Sequence, residues 1–305
     1  MGTNSEHEVN GSLGASMTAS VATRVGDKVP ESFKGRAFAV HRDACYLRDE
    51  DGRQLVLLDD ATPPAPHGIN VVLRDSDDWR QVVARDSRAQ LQNGVLTITG
   101  AMETRAAFAL ADATLYEGRL GPVSLGRRVE MQAAVHEIDS VLEGCMNESG
   151  GDRLCRAARR RIKSTIDRLA MSVAVSDESR SQLLATGLIG FGQGKANGDA
   201  ALVGFLAART ALDRADAGVL CAIEESSGRE VEPSWGFLEA AAQGHFCEPL
   251  RSLAEATGAG RAHDAGLAAG RCLQSREGWG PDLIVGLLGG FAEHVSIELA
   301  VRAEA

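Results

Sequence analysis

Aromatic residues are scarce: three Trp, two Tyr and eight Phe make up 4% of the 305 residues. A core of large stacked rings is therefore excluded. With 44% hydrophobic residues and 34 Gly, packing falls to Ala, Leu, Val and backbone held at close range. The charge balance lacks a basic excess, with a formal net charge of −10. Phosphate backbones need a basic face, so no nucleic-acid partner is expected. The six cysteines form no C-x-x-C pair, which excludes a zinc ribbon. The apolar runs, "LIVGLLGGFA" among them, fall short of the roughly 20 residues a bilayer requires, so no membrane association is expected. A secretory h-region is also lacking. Together with the free thiols, this gives a cytoplasmic expectation.

What is present divides into two styles. Residues 1–33 are polar and read as a flexible leader. Residues 34–120 alternate in short runs. "RAFAVHRDACYLRDEDGRQLVLLDD" turns at Glu50-Asp51-Gly52, and "LQNGVLTITG" turns at Asn93-Gly94, both hairpin signals. Residues 121–305 change to helical spacing, with Ser176 as a candidate N-cap ahead of Glu178. The fold class expected is α+β: an N-terminal, mostly antiparallel β domain followed by an α-helical domain.

The helical half carries a stretch unlike its surroundings, "LIGFGQGKANGDAALVGFL", with a weak echo in "GPDLIVGLL". Gly198 aligns with Gly280, Val203 with Val285 and Gly204 with Gly286. Each is a glycine-rich loop that opens an apolar helix, and two such units can face one another across one pocket. The first N–H groups of a helix have no internal partner and carry partial positive charge, so anions bind there. Candidate ligand-binding residues are Gly192, Gly194, Asn197, Gly198, Arg276, Trp279 and Gly280, and candidate catalytic residues are Lys195, Asp199 and Asp282. The loop is no Walker A motif, because no Gly-Lys-Ser/Thr closes it, and it follows no clear βαβ strand. No cofactor is implied. His41, His67, His136, His245, His263 and His294 lack metal-ligand spacing, so no metal is expected, and His67 reads as part of a surface turn. Cys145 and Cys155 flank a Ser-Gly-Gly turn, where a cytoplasmic chain seldom keeps a disulfide. "RLCRAARRRIK" reads either as a solvated helix face or as a docking face for an acidic partner or an anionic ligand.

At these loops the chain resembles an uncharacterised-domain family with the pattern "LIGLGPGLTPSGDDFLVGLLAAL". That family includes a subunit of the multi-subunit oxamate carbamoyltransferase of allantoin breakdown. "FLEAAAQGHFCEPLRSL" and "SREGWGPDLIVGLLGGF" are similar to two further segments of it, and the likeness covers about residues 34–292. The resemblance implies carbamoyl transfer between carbamoyl phosphate and a small amide or amine acceptor, with partner protein subunits. The family's Thr-Pro-Ser is replaced by Lys195-Ala196-Asn197, its second Asp by Ala200, and its His-Thr-Ser by Ser275-Arg276-Glu277. Those departures admit an alternative, a non-catalytic scaffolding or ligand-binding subunit with a degenerate site.

Overall fold

The computed structural model describes residues 18–73, 78–100, 105–148, 153–192, 196–227, 232–274 and 278–303. It is α+β. The strands are β1 (Thr18–Gly26), β2 (Phe33–Val40), β3 (Ala44–Asp49), β4 (Gln54–Asp59), β5 (Gly68–Val72), β6 (Arg88–Gln92), β7 (Val95–Thr99), β8 (Arg105–Ala109) and β9 (Thr114–Tyr116), with the one-turn helix α1 (Trp79–Val82) after β5. The helices that follow are α2 (Arg128–Glu148), α3 (Arg153–Ala174), α4 (Glu178–Thr186), α5 (Gly198–Ala211), α6 (Ala217–Ser226), α7 (Trp235–Ala242), α8 (Glu248–Gly258), α9 (Ala262–Leu273) and α10 (Gly280–Ala303).

The sheet order is β5-β4-β3-β2-β6-β7-β8-β1-β9, and β1 pairs back onto β5, so every strand but β9 closes into a barrel. Both expected hairpins form. β3 and β4 pair antiparallel around Gly52 at φ +86, and β6 and β7 pair around Asn93 and Gly94 at φ +52 and +71. Two consecutive residues in the left-handed region match the twist of the flanking strands, which is why Asn-Gly is favoured there. Three pairings are parallel, β1 with β8, β1 with β9 and β4 with β5, so the barrel is not a simple antiparallel meander. The β4–β5 crossover contains Pro63, Pro64 and Pro66, which have no N–H to offer a strand ladder.

The expected leader is corrected at its described end: Thr18–Gly26 is β1, which closes the barrel. Its partners β5 and β8 lie far along the chain, so no local signal marks it. Ser176 is corrected too. It sits at φ +55, and Asp177 is the N-cap of α4, its side chain accepting from the Arg180 N–H.

Strands β3 and β4 read as continuous apolar runs because both faces are covered. Cys45, Leu47, Leu55 and Leu57 fill the barrel with Trp79 and Phe108. Ala44, Tyr46, Val56 and Leu58 point the other way and pack with Phe237 of α7. Backbone bonds seal this junction: Phe246 N donates to Gly118 O at 2.8 Å and Leu120 N to Gly244 O at 2.9 Å, while the Tyr116 hydroxyl donates to Phe246 O at 2.8 Å.

In the helical part, α5 and α10 lie at the centre. Every residue of α5 except Thr210 is buried, as expected for a helix apolar on all sides. A Cβ on Gly204 would stand 1.9 Å from Leu283 O, and one on Gly286 would stand 1.8 Å from Ala201 O. The two contacts are mirror statements of the repeat, because Ala201 and Leu283 precede the paired glycines by the same step. Further along, Gly290 meets Phe205 and Ala208. Both helices advance together, so they run in the same direction and begin at the same end. Among the described residues no helix is long and apolar enough to cross a membrane.

Candidate functional site

The two glycine loops come together where α5 and α10 begin. Leu188 follows α4, and the chain then folds back on itself, with Gly198 N donating to Phe191 O at 2.9 Å. Gly192 takes φ +78, and a Cβ there would lie 2.4 Å from Ala196 O. Gly198 and Gly280 again play equal parts: a Cβ on Gly198 would lie 2.1 Å from Leu188 O, and one on Gly280 would lie 2.2 Å from Cys272 O. Each opens its helix pressed against the carbonyl at the end of the preceding helical unit. Gly194, Lys195 and Arg276 lie outside the described residues.

Three of the singled-out polar side chains are occupied within the protein. Asn197 is the N-cap of α5, its Oδ1 accepting from Ala200 N at 2.9 Å. Asp199 accepts from Gly190 N at 2.8 Å and from Ser234 Oγ at 2.7 Å, which ties the first loop to the start of α7. Asp282 crosses between the units, its Oδ2 accepting from Asn197 N at 3.1 Å. The other oxygen of Asp282 stands 3.8 Å from Arg159 Nε, and Arg159 Nη2 donates to Gly278 O at 3.2 Å.

Burial dominates the electrostatics here. Asp282 is 0% exposed, and desolvation raises its pKa to about 7, against the opposing pull of Arg159 and the Asn197 N–H. Desolvation also raises the Asp199 pKa, against the hydrogen bonds from Ser234 and Gly190. Burial therefore favours the protonated form of Asp282, with one donor, the Asn197 N–H, on its Oδ2.

Much of the basic segment of α3 is the solvated face expected, with Arg156, Arg160, Arg161 and Lys163 exposed, but Arg159 turns inward. Arg159 reaches the second glycine loop, and the Arg161 guanidinium lies over the Phe191 ring at 4.7 Å from its centroid. Lys163 does face solvent, pairing with Asp167 one turn on.

Between the barrel and the helices lies a cavity of about 420 Å³. The barrel contributes Tyr46, Leu58 and the proline-rich crossover from Ala61 to Pro66. The opposite side is formed by Ala200 and Val203 of α5, Leu283 of α10, Ser234 and Phe237, with Trp279 ahead of α10. The end between α7 and α9 adds His245, Cys247, Arg271 and Cys272. Trp279, singled out from sequence, thus sits in the wall, edge-on to Phe237 with 5.9 Å between ring centroids. Its carbonyl also accepts from Asp282 N and Leu283 N, both at 3.0 Å, so the residue that lines the cavity also starts the helix.

His67 is not in a surface turn. It is 4% exposed, stacked edge-on against Phe237 at 4.6 Å, and desolvation lowers its pKa to about 4. The residues that sequence reasoning missed are Arg159, Ser234, Tyr46, Phe237, Asp27 and His245. Each reaches the site from a distant segment, and Asp27 fell inside the stretch read as a leader. All six cysteines are free thiols, Cys145 and Cys155 included. Among the described residues no group of three or more His, Cys, Asp or Glu is arranged to hold a metal ion. No family model, no curated protein and no solved structure matches the chain.

Proposed function

We propose that the chain is a subunit of an oxamate-carbamoyltransferase-like enzyme, which binds carbamoyl phosphate beside a small amide or amine acceptor and works with partner protein subunits. One observation carries this reading: the helices of both glycine motifs begin at one cavity, and Ala200, Trp279 and Leu283 put their first turns in its wall. Helix starts favour negative charge, and carbamoyl transfer develops negative charge on the carbonyl oxygen and on the departing phosphate. In this reading Lys195 and Arg276 supply cations to the phosphate, and Asp199 and Asp282 hold the amide N–H groups.

A second reading is a scaffolding or ligand-binding subunit without turnover. It is favoured by the engagement of Asn197 and Asp199 inside the protein, and by walls that are mainly apolar. Calorimetric titration with carbamoyl phosphate tests the first reading. Binding is expected for the native chain, weaker binding for Lys195→Ala, and none for Ala200→Trp, which fills the cavity. If carbamoyl phosphate binds neither the chain alone nor the chain with its partner subunits, the transferase reading fails. Binding without turnover in the assembled complex selects the second reading.

A further inference from the structure

The cavity gathers several of the few aromatic side chains the sequence has. Of three Trp, two Tyr and eight Phe in the whole sequence, Tyr46, Phe237, Phe246 and Trp279 line this one space. They arrive from β3, from α7, from the residue pair ahead of α8 and from the loop ahead of α10, so local composition does not explain the gathering. The rings surround open volume rather than filling it. A volume of about 420 Å³ falls in the range of small-molecule sites, about 300–1,000 Å³.

One polar group in this wall is held ready. His245 Nδ1 lies 2.9 Å from Asp27 Oδ2, and the same oxygen accepts from Gly118 N at 3.1 Å. Asp27 follows β1 and His245 follows α7, so the pair spans the junction of barrel and helices. The side chains are 12% and 17% exposed. A carboxylate at Nδ1 selects the tautomer with the proton on that nitrogen, which leaves Nε2 as an acceptor. Desolvation lowers the His245 pKa, outweighing the attraction of Asp27, with Lys28 and Arg119 pushing the same way as burial. Burial thus favours the neutral ring. Arg271 in the same wall is paired with Glu248 at 3.2 Å.

We propose that the cavity selects a planar, ring-bearing small molecule that carries an N–H or O–H group, with its ring against Tyr46, Phe237 and Trp279 and its donor on His245 Nε2. This rests on the cavity being the ligand site of the proposed function, and it makes the acceptor of that reaction a flat N–H compound rather than a simple aliphatic amine. His245 acts as a binding residue and Asp27 as its positioning residue.

Two fluorine-labelled probes of equal shape test this by ligand-observed fluorine NMR: a fluoroindole, which has an N–H, and the matching fluorobenzothiophene, which has none. Both are expected to bind the full chain, the indole about three- to tenfold more tightly, the ratio one neutral hydrogen bond gives. Trp279→Ala is expected to weaken both probes. His245→Phe removes the preference and leaves benzothiophene binding in place. Asp27→Asn, which keeps the imidazole but loosens its tautomer, reduces the preference, and it serves if His245→Phe does not fold. Equal affinity of the two probes, a preference that survives His245→Phe, or no binding of either probe overturns the proposal. Carbamoyl phosphate titrated in parallel, to the chain alone and with its partner subunits, separates the two readings: its binding without probe binding overturns only this inference, and silence from all three ligands in both settings removes both.

Discussion

The contact between α5 and α10 yields opposite outcomes for one chemical change. Gly204→Ala places a methyl carbon 1.9 Å from Leu283 O and 2.8 Å from Leu283 C, both backbone atoms. A carbon rests no closer than about 3.3 Å to a carbonyl oxygen, so the helices must separate by more than an ångström along their most intimate line. Forcing an extra methyl group into a packed interface costs about 1–3 kcal/mol, and backbone that cannot turn aside puts this site at the upper end. Against that, Ala is better than Gly inside a helix by about 0.5–1 kcal/mol. The steric term wins, and a net loss of about 2 kcal/mol is expected. At roughly 2 °C per kcal/mol for a chain of this size, the melting temperature falls by about 4 °C. Gly286→Ala, 1.8 Å from Ala201 O, is expected to match it. The double variant should lose less than the sum, since a gap opened by one methyl group already accommodates the other. Gly144→Ala and Gly270→Ala are the controls. Both lie in helices with nothing within 4 Å of the added carbon, so both should gain about 0.5–1 kcal/mol. Urea and thermal midpoints read all five proteins. A Gly204→Ala protein as stable as the native one, or stabilised like the controls, refutes the reasoning.

Asp282 ties stability to pH. Its folded pKa of about 7 lies above the ordinary carboxylate value, so the folded state holds the extra proton between about pH 4 and 7. Its contribution to stability therefore falls as pH rises through that window and is level above it. Asp282→Asn keeps an acceptor for the Asn197 N–H and is expected to flatten that slope in urea midpoints measured across the window; an unchanged slope would sink the assignment. Ser234→Ala removes a buried donor from the Asp199 carboxylate and is expected to cost about 1–3 kcal/mol by the same assay. Burial pushes the Cys45 thiol up to about 12 and Cys247 up to about 11, and it raises Cys272 as well. In native protein at pH 8 these three should react with a thiol reagent far more slowly than after unfolding, as followed by mass spectrometry of the labelled peptides.

Local signals read well from the sequence, and long-range pairings did not. Asn93-Gly94 announced its hairpin because a two-residue turn stores its geometry in its own residues, and Asp51-Gly52 marked the longer loop between β3 and β4, where Gly52 takes φ +86. The expected alternation does not hold in β3 and β4, which are apolar without a break because the barrel interior and α7 cover both faces. Strand β1 was invisible: "TASVATRVG" is small and polar, and its closing partners are remote. Asp27 vanished with it, and so did the pairing that orients His245. In the helical half the repeat marked two loop-helix units that meet, but they pack directly on one another and form the same side of the cavity, opposite the barrel, instead of facing each other across it. The same pattern was silent on Arg159 and Ser234, whose side chains reach the loops from helices outside the repeat.

The repeat also explains why the meeting of two similar units produces one cavity rather than two equal sites. In register, Asp199 aligns with Pro281 and Asp282 with Ala200, so each unit carries one carboxylate but one position apart. That single step redirects them. Asp199 turns back to Gly190 in its own loop and across to Ser234. Asp282, one residue further into its helix, reaches over to Asn197 in the other loop. Both acids thus secure the first loop, which is held from its own helix and from its counterpart. The second motif instead presents Trp279 and receives Arg159 at Gly278. Near-symmetric helices supply the close-packed frame, and the displacement of one carboxylate by one residue leaves one side fastened and the other furnished with an aromatic wall. A site that distinguishes two ends of a small molecule needs that inequality, and here it arises within a repeat whose backbone contacts are equal.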